Sequence, residues 1–272
     1  METQAPEVFP AIYSRSALRE LFGKVSESCD LPPLPAVAMR AIALARDPNV
    51  NADQLVRIVS TDAALAARVV SIARSVRYMR RDPPRTLQAA IQTVGFQALR
   101  RILIAASARA TYRADDAVAQ ALWEHALATA LAADELSQLS GGPRGGAAFI
   151  AGLMHDIGKL VLHLSDSARF DALDHDNESR ELAIFGVTHE QVAACLAEHW
   201  GLEDDVVWAI LCHHRDSTEP LAIQIVQADA LACQIGYGCG RHADVEAADS
   251  QELADVAERV MQSFEVERTL FA

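Results

Sequence analysis

The chain has 272 residues and five cysteines, and its length supports a real core without disulfide staples. Cys29, Cys195, Cys212, Cys233 and Cys239 are scattered and show no CxxC spacing, so neither a disulfide framework nor a zinc ribbon is expected, and a reducing cytoplasm fits best. A formal charge of −13 excludes general affinity for DNA, which needs phosphate-neutralising Lys and Arg; with no basic start, no signal-type apolar stretch and no run near membrane-spanning length, a cytoplasmic protein without membrane contact is predicted.

Alanine-rich segments with apolar residues three and four apart dominate the chain, and alternating strand patterns are scarce, so the fold class is all-α. Pro32, Pro33 and Pro35, then Pro48, then Pro83 and Pro84 divide the first part into short helices. Their starts are marked by Asn51 with Gln54 three residues on, by Ser60-Thr61-Asp62 before Ala63, and by Thr86 before Leu87. Between Arg74 and Arg101 seven arginines face one acid, Asp82, giving +6 locally against −19 for the rest. Arg74, Arg77, Arg80, Arg81 and Arg85 are candidates for binding an acidic partner or a nucleotide; a solvated helix-and-loop face is the simpler reading.

A long helix is predicted from near Ala114 through His125 to Leu139, ended by the glycine-rich stretch 140–146. One helix carrying His155 and Asp156 follows, then a polar loop from Ser165 to about Glu181. Further helices run from His189 to Trp200, after a Thr188–Gln191 capping box, and from Glu203 to His214; another opens at Pro220. An acidic tail helix, about Ser250 to Phe264, is expected to pack through Leu253, Val256, Val260 and Met261. The organisation reads as an N-terminal extension over 1–20, a helical segment over 21–113, a helical bundle over 114–240 and the C-terminal helix over 241–272.

The run from Ala151 to Leu162 sets an adjacent His155 and Asp156 in an apolar segment. Neighbouring side chains stand about 100° apart on a helix, so the two cannot share a face, yet both can converge on an ion beside it. His125 stands upstream, and His189, His213, His214 and Asp229 stand downstream; Asp229 is an acid on an otherwise apolar helix. Imidazoles and carboxylates without cysteine suit Fe, Mn, Co or Zn in an open site, and one or two such ions could bind phosphate oxygens and generate a hydroxide nucleophile. Lys159, one turn after His155, could contact a phosphate. A single buried histidine is more often a hydrogen-bonded core residue; the series is what favours ligands. His163, His175, His199 and His242 are expected at the surface or boundary.

With these residues in place, the second half resembles the HD superfamily of metal-dependent phosphohydrolases: His125 matches the first ligand, His155 and Asp156 the doublet, Asp229 the last acid. The HD-GYP branch is similar in adding further histidines, matched by His189, His213 and His214, with Lys159 matching the lysine after the doublet. A Gly-Tyr-Pro loop does not follow His214, and Gly236-Tyr237-Gly238 lies after the last acid, so it reads as a coincidence. Leu31-Pro32-Pro33-Leu34-Pro35, the Asp62-Ala63-Ala64-Leu65 helix and Val94-Gly95-Phe96 resemble the N-terminal segment of the HDOD family of HD-related output domains. That resemblance covers roughly residues 20 to 235. It implies an HD-like bundle with an N-terminal helical subdomain, acting in bacterial signal transduction as a regulatory output module that binds signalling proteins, without established catalysis. The complete ligand set keeps hydrolysis of a nucleotide or cyclic dinucleotide as the alternative, whereas the absence of a partner domain in the sequence favours protein binding. Oligomeric state is not indicated.

Overall fold

The computed structural model describes residues 20, 23, 25, 36–45, 47, 49–75, 78, 82–112, 115–140, 146–173, 178–215, 217–238 and 251–271. Arg77, Arg80, Arg81, His175, His242, Cys29 and Cys239 fall outside them, as does the Pro32–Pro35 run. The described residues form helices and connecting turns, with no strand among them.

The N-terminal layer consists of α1 (Ala36–Ala45), α2 (Ala52–Val59), α3 (Ala63–Ala73), α4 (Leu87–Val94) and α5 (Phe96–Arg109). Asn51 and Gln54 form the predicted capping box at the start of α2; the Asp62 and Thr86 side chains accept from the Leu65 and Ala89 amides to open α3 and α4. Gly95 links α4 to α5 at φ 79°, a conformation glycine adopts without steric cost. Helix α5 packs on α1 and α3 and faces the second layer.

The second layer is built on α6 (Ala117–Ser140), which is buried on almost every side and packs against α7 (Ala147–Met154), α13 (Pro220–Ala232) and α14 (Gln251–Phe271). Helix α8 (Ile157–Ser165) lies on α11 (His189–His199), and α11 on α12 (Asp204–Leu211). Two ion pairs tie the layers together: Arg100 of α5 to Glu203 ahead of α12, and Arg101 to Asp134 of α6 at 2.6 Å. Both arginines counted in the basic stretch therefore turn inward and are neutralised, leaving the exposed Arg74 and Arg85 as its described surface members.

Four expectations are corrected here. The predicted polar loop holds α9 (Ser167–Asp171), capped by Asp166 and anchored by buried Phe170, and the start of α10 (Glu178–Phe185). In α14, Met261 is 43 % exposed, because spacings of four, four and three carry the buried face through Val256, Val260, Phe264 and Glu267. The stretch Ala147–Ser165 is long and apolar enough to cross a membrane by length and composition; it lies inside the bundle, and turn geometry at His155 and Asp156 interrupts it. His163 is interior, its Nε2 2.7 Å from Asp116 Oδ2 and its ring edge-on to Phe170; His199 is exposed, as expected.

Candidate metal centre

The doublet sits at a break in what reads as one helix. His155 ends α7 and Asp156, at φ −104° and ψ 6°, starts α8, so both side chains turn toward a common centre. Two glycines allow the surrounding helices to close on it. A Cβ at Gly152 would stand 2.9 Å from the Ala130 Cα on α6, and one at Gly158 would stand 1.9 Å from the His189 carbonyl oxygen on α11. Those contacts bring the helices of His125 and His189 against the doublet.

Asp156 lies at the middle, 2 % exposed. Its Oδ2 is 3.4 Å from His125 Nε2 and 3.5 Å from His155 Nε2; its Oδ1 is 3.4 Å from His189 Nε2 and 3.5 Å from His213 Nε2. The two oxygens thus face two imidazole groups. Asp229 of α13 joins the first, its Oδ1 3.1 Å from His125 Nε2 and 3.8 Å from His155 Nε2. His214 joins the second from the solvent side, with ring centroids 4.1 Å from His213 and 5.1 Å from His189. Donor atoms of His125, His155 and Asp156, and those of Asp156, His189, His213 and His214, lie within 4.8 Å of one another. Every residue of the predicted series is brought into this centre.

Backbone carbonyls and one carboxylate hold the rings by their other nitrogen. Nδ1 of His125 meets the Tyr237 carbonyl at 2.8 Å, that of His155 the Gly152 carbonyl at 2.6 Å, and that of His213 the Ile210 carbonyl at 2.6 Å. A carbonyl only accepts, so each Nδ1 carries the proton and, in the neutral ring, each Nε2 presents a lone pair to the centre. His189 Nδ1 lies 2.9 Å from both oxygens of Glu181, whose Oε2 also accepts from the His189 amide at 2.8 Å. The Nε2 atoms of His189 and His213 are buried with no hydrogen-bond partner among the described residues, a costly state for a nitrogen that lacks a cation to bind. This donor set of imidazoles and carboxylates, with bare buried nitrogens aimed inward, fits a divalent ion of the Fe, Mn, Co or Zn type.

The electrostatics follow from the same contacts. Burial opposes charge on Asp156, but the Lys159 ammonium and the surrounding imidazoles, His155 first, hold its carboxyl well below the usual range. Burial lowers the His155 pKa. On His189, burial and Lys159 oppose protonation, yet Glu181 and Glu190 outweigh them and raise the pKa. His214, despite its exposed edge, is pushed down to about 3 by desolvation and by the imidazoles of His213 and His189. Lys159, the candidate phosphate contact under the hydrolase reading, donates to Asp156 Oδ2 at 2.8 Å and is buried.

Several contributors were not anticipated. Glu181 and Glu190 are buried carboxylates beside His189; Glu190, opposed by burial, is held at about 2 by His189 and His213. Tyr237, in the stretch set apart from the Gly-Tyr-Pro loop, reaches the centre through its backbone carbonyl alone. Cys233, outside the predicted series, sets its Sγ 3.9 Å from Asp229 Oδ1.

An all-α bundle that gathers a His-Asp doublet with distal histidines and a distal Asp defines an HD-like protein. The chain matches the HDOD domain family over residues 31–216 and belongs to it. An uncharacterised protein of Treponema pallidum (strain Nichols) is 24 % identical over 194 residues, 68 % of this chain and 38 % of that protein; this chain thus spans well under half of that relative's length. Among solved structures, a candidate signal transduction protein from Marinobacter aquaeolei VT8 is 26 % identical with a TM-score of 0.66, covering 97 % of this chain and 66 % of that one. A candidate phosphohydrolase from Shewanella amazonensis SB2B shares the fold with a TM-score of 0.72 at 22 % identity, covering 92 % and 97 %.

Proposed function

We propose that this HDOD protein is a regulatory output module that holds one or two divalent ions in its bundle and acts by binding a signalling protein, without turnover. The observation that carries the reading is the pair of buried Nε2 atoms of His189 and His213, without a hydrogen-bond partner among the described residues and aimed with His125, His155, Asp229 and the exposed His214 at the two sides of Asp156. His125, His155, Asp156 and Asp229 would hold ion on one side; Asp156, His189, His213 and His214 would hold it on the other. Bound there, an ion would supply Lewis acidity and fixed positive charge. The chain's own arrangement favours a structural or sensory centre: the ligands other than His214 are buried, and Lys159 is spent on neutralising Asp156 rather than presented to a substrate. Exposed Arg74 and Arg85 supply positive charge for an acidic partner surface, and the likeness to the Marinobacter protein supports a signalling context.

A second reading, an HD-type phosphohydrolase acting on a nucleotide or cyclic dinucleotide, is favoured by one feature. Asp156 offers one oxygen to each imidazole group, as a carboxylate bridging two ions does. Under it Lys159 would leave Asp156 for a phosphate oxygen.

The test is metal content of aerobically and anaerobically purified protein beside Asp156→Ala, with assays on a generic phosphodiester and on cyclic dinucleotides. Stoichiometric metal that is lost in the variant, with no turnover, is expected. Metal-dependent turnover would move the protein to the second reading. Absence of metal from both preparations would overturn the metal centre.

A further inference from the structure

After α13 the chain runs through a π-type turn over Cys233–Tyr237 that is kinked at Gly236, where φ is 97°. Single π turns concentrate at functional sites because they re-aim the residues that an α-helix would place elsewhere. Here the turn does two things to one imidazole. The Tyr237 carbonyl accepts a hydrogen bond from His125 Nδ1–H at 2.8 Å, and Tyr237 is itself braced by ring contact with buried Phe264 at a centroid distance of 3.9 Å. Cys233, four residues after Asp229 and so on the same helical face, sets its thiol beside the carboxylate that His125 Nε2 approaches.

We propose that Cys233 is a further ligand of this centre, joining His125 and Asp229 in a nitrogen, oxygen and sulfur set that favours a thiol-accepting ion of the Zn2+ or Fe2+ type over a hard ion such as Mn2+ or Mg2+; the inference rests on the metal-binding reading above. Donor atoms of the three residues lie within 4.8 Å of one another. Around a tetrahedral ion with bonds of about 2.1 Å to N or O and about 2.3 Å to S, adjacent donors stand about 3.4 Å apart, or about 3.6 Å when one is sulfur. The observed separations are 3.1 Å from His125 Nε2 to Asp229 Oδ1 and 3.9 Å from that oxygen to Cys233 Sγ. Each is within a few tenths of an ångström of the requirement.

Charge balance points the same way. Lys159 already neutralises Asp156, so the anions that offset a divalent ion near His125 are Asp229 and, once its proton has left to solvent, the Cys233 thiolate. Cys233 is partly exposed, unlike buried Cys195 and Cys212, so ion and solvent can reach it. Thiolate ligands select softer ions and imidazole accompanies them readily, which is the basis of the expected preference.

The experiment titrates metal-free full-length protein with Co2+ under anaerobic conditions, following near-ultraviolet absorption, and compares wild type with Cys233→Ser and Cys233→Ala. Competition titrations then give Zn2+ and Mn2+ affinities. Expected is a sulfur-to-cobalt charge-transfer band in wild type that is absent from both variants, with Zn2+ affinity lowered about tenfold or more and Mn2+ affinity nearly unchanged. Stoichiometric Co2+ binding without the band, or a band that survives in both variants, would overturn the role of Cys233 while leaving the metal centre standing. Failure of the wild-type protein to bind Co2+, Zn2+ or Mn2+ would overturn the underlying reading and this inference with it.

Discussion

Gly158→Ala tests whether the close approach of α8 and α11 builds the site. The added Cβ would lie 1.9 Å from the His189 carbonyl oxygen and 2.7 Å from its carbonyl carbon. Ordinary contact needs about 3.4 Å, so the two helices must part by about 1.5 Å at the point where His189 enters the centre. Both atoms are backbone, so no side chain can rotate out of the way. Overpacking of this kind costs about 1–3 kcal/mol, and a clash with backbone belongs at the upper end or beyond. With an unfolding entropy near 2.1 cal/mol/K per residue, about 3 kcal/mol lowers Tm by about 5 °C for a chain of this size. The same displacement carries His189 Nε2 away from Asp156 Oδ1, now 3.4 Å off, so metal affinity should fall together with stability. Calorimetry and metal titration read the two effects. Gly152→Ala is the internal comparison: its Cβ meets the Ala130 Cα and Thr129 oxygen at 2.9 Å, requires a shift of about 0.5 Å, and should cost less. A Gly158→Ala protein that melts with wild type and binds metal equally well would refute the reasoning.

Three further outcomes are expected. Glu181→Gln should weaken metal binding by about 10–100-fold in a titration while leaving the fold intact, since the carboxylate that orients and polarises His189 is replaced by an amide of the same shape. Arg100→Met should lower stability in denaturant titration by about 1–2 kcal/mol; a lost buried pair costs more, but the Glu203 side chain is 37 % exposed and regains solvent when its partner goes. Asn51→Ala removes the reciprocal cap of α2 and should cost about 1 kcal/mol in the same assay, without effect on metal content.

Much of this was legible in the chain. The caps at Asn51, Asp62, Thr86 and Thr188 lie where side-chain chemistry alone requires helix starts, because an oxygen acceptor three residues before a free amide is a local device. The histidine series and both aspartates could be picked out because polar residues in apolar helices need partners. What escaped notice depends on tertiary placement. Glu181 reads as an ordinary acid in a polar segment until its carboxylate meets the amide and ring of His189, and the Tyr237 contribution is a carbonyl that every residue possesses. Glu190 carried a usable signal, since it directly follows His189 in a helix otherwise inward-facing through Val192, Ala193 and Ala194. Cys233 carried another in its four-residue spacing from Asp229. The break at His155 and Asp156 was hidden by unbroken hydrophobicity, which does not separate one long helix from two short ones.

The most direct test of the account is calorimetric titration of metal-free protein with Zn2+ or Mn2+, wild type beside Asp156→Ala. Because Asp156 faces both imidazole groups, wild type should take up at least one equivalent, and the variant should bind at least about 100-fold more weakly. Equal binding by the two proteins would place the metal elsewhere, and no binding by wild type would contradict the centre itself.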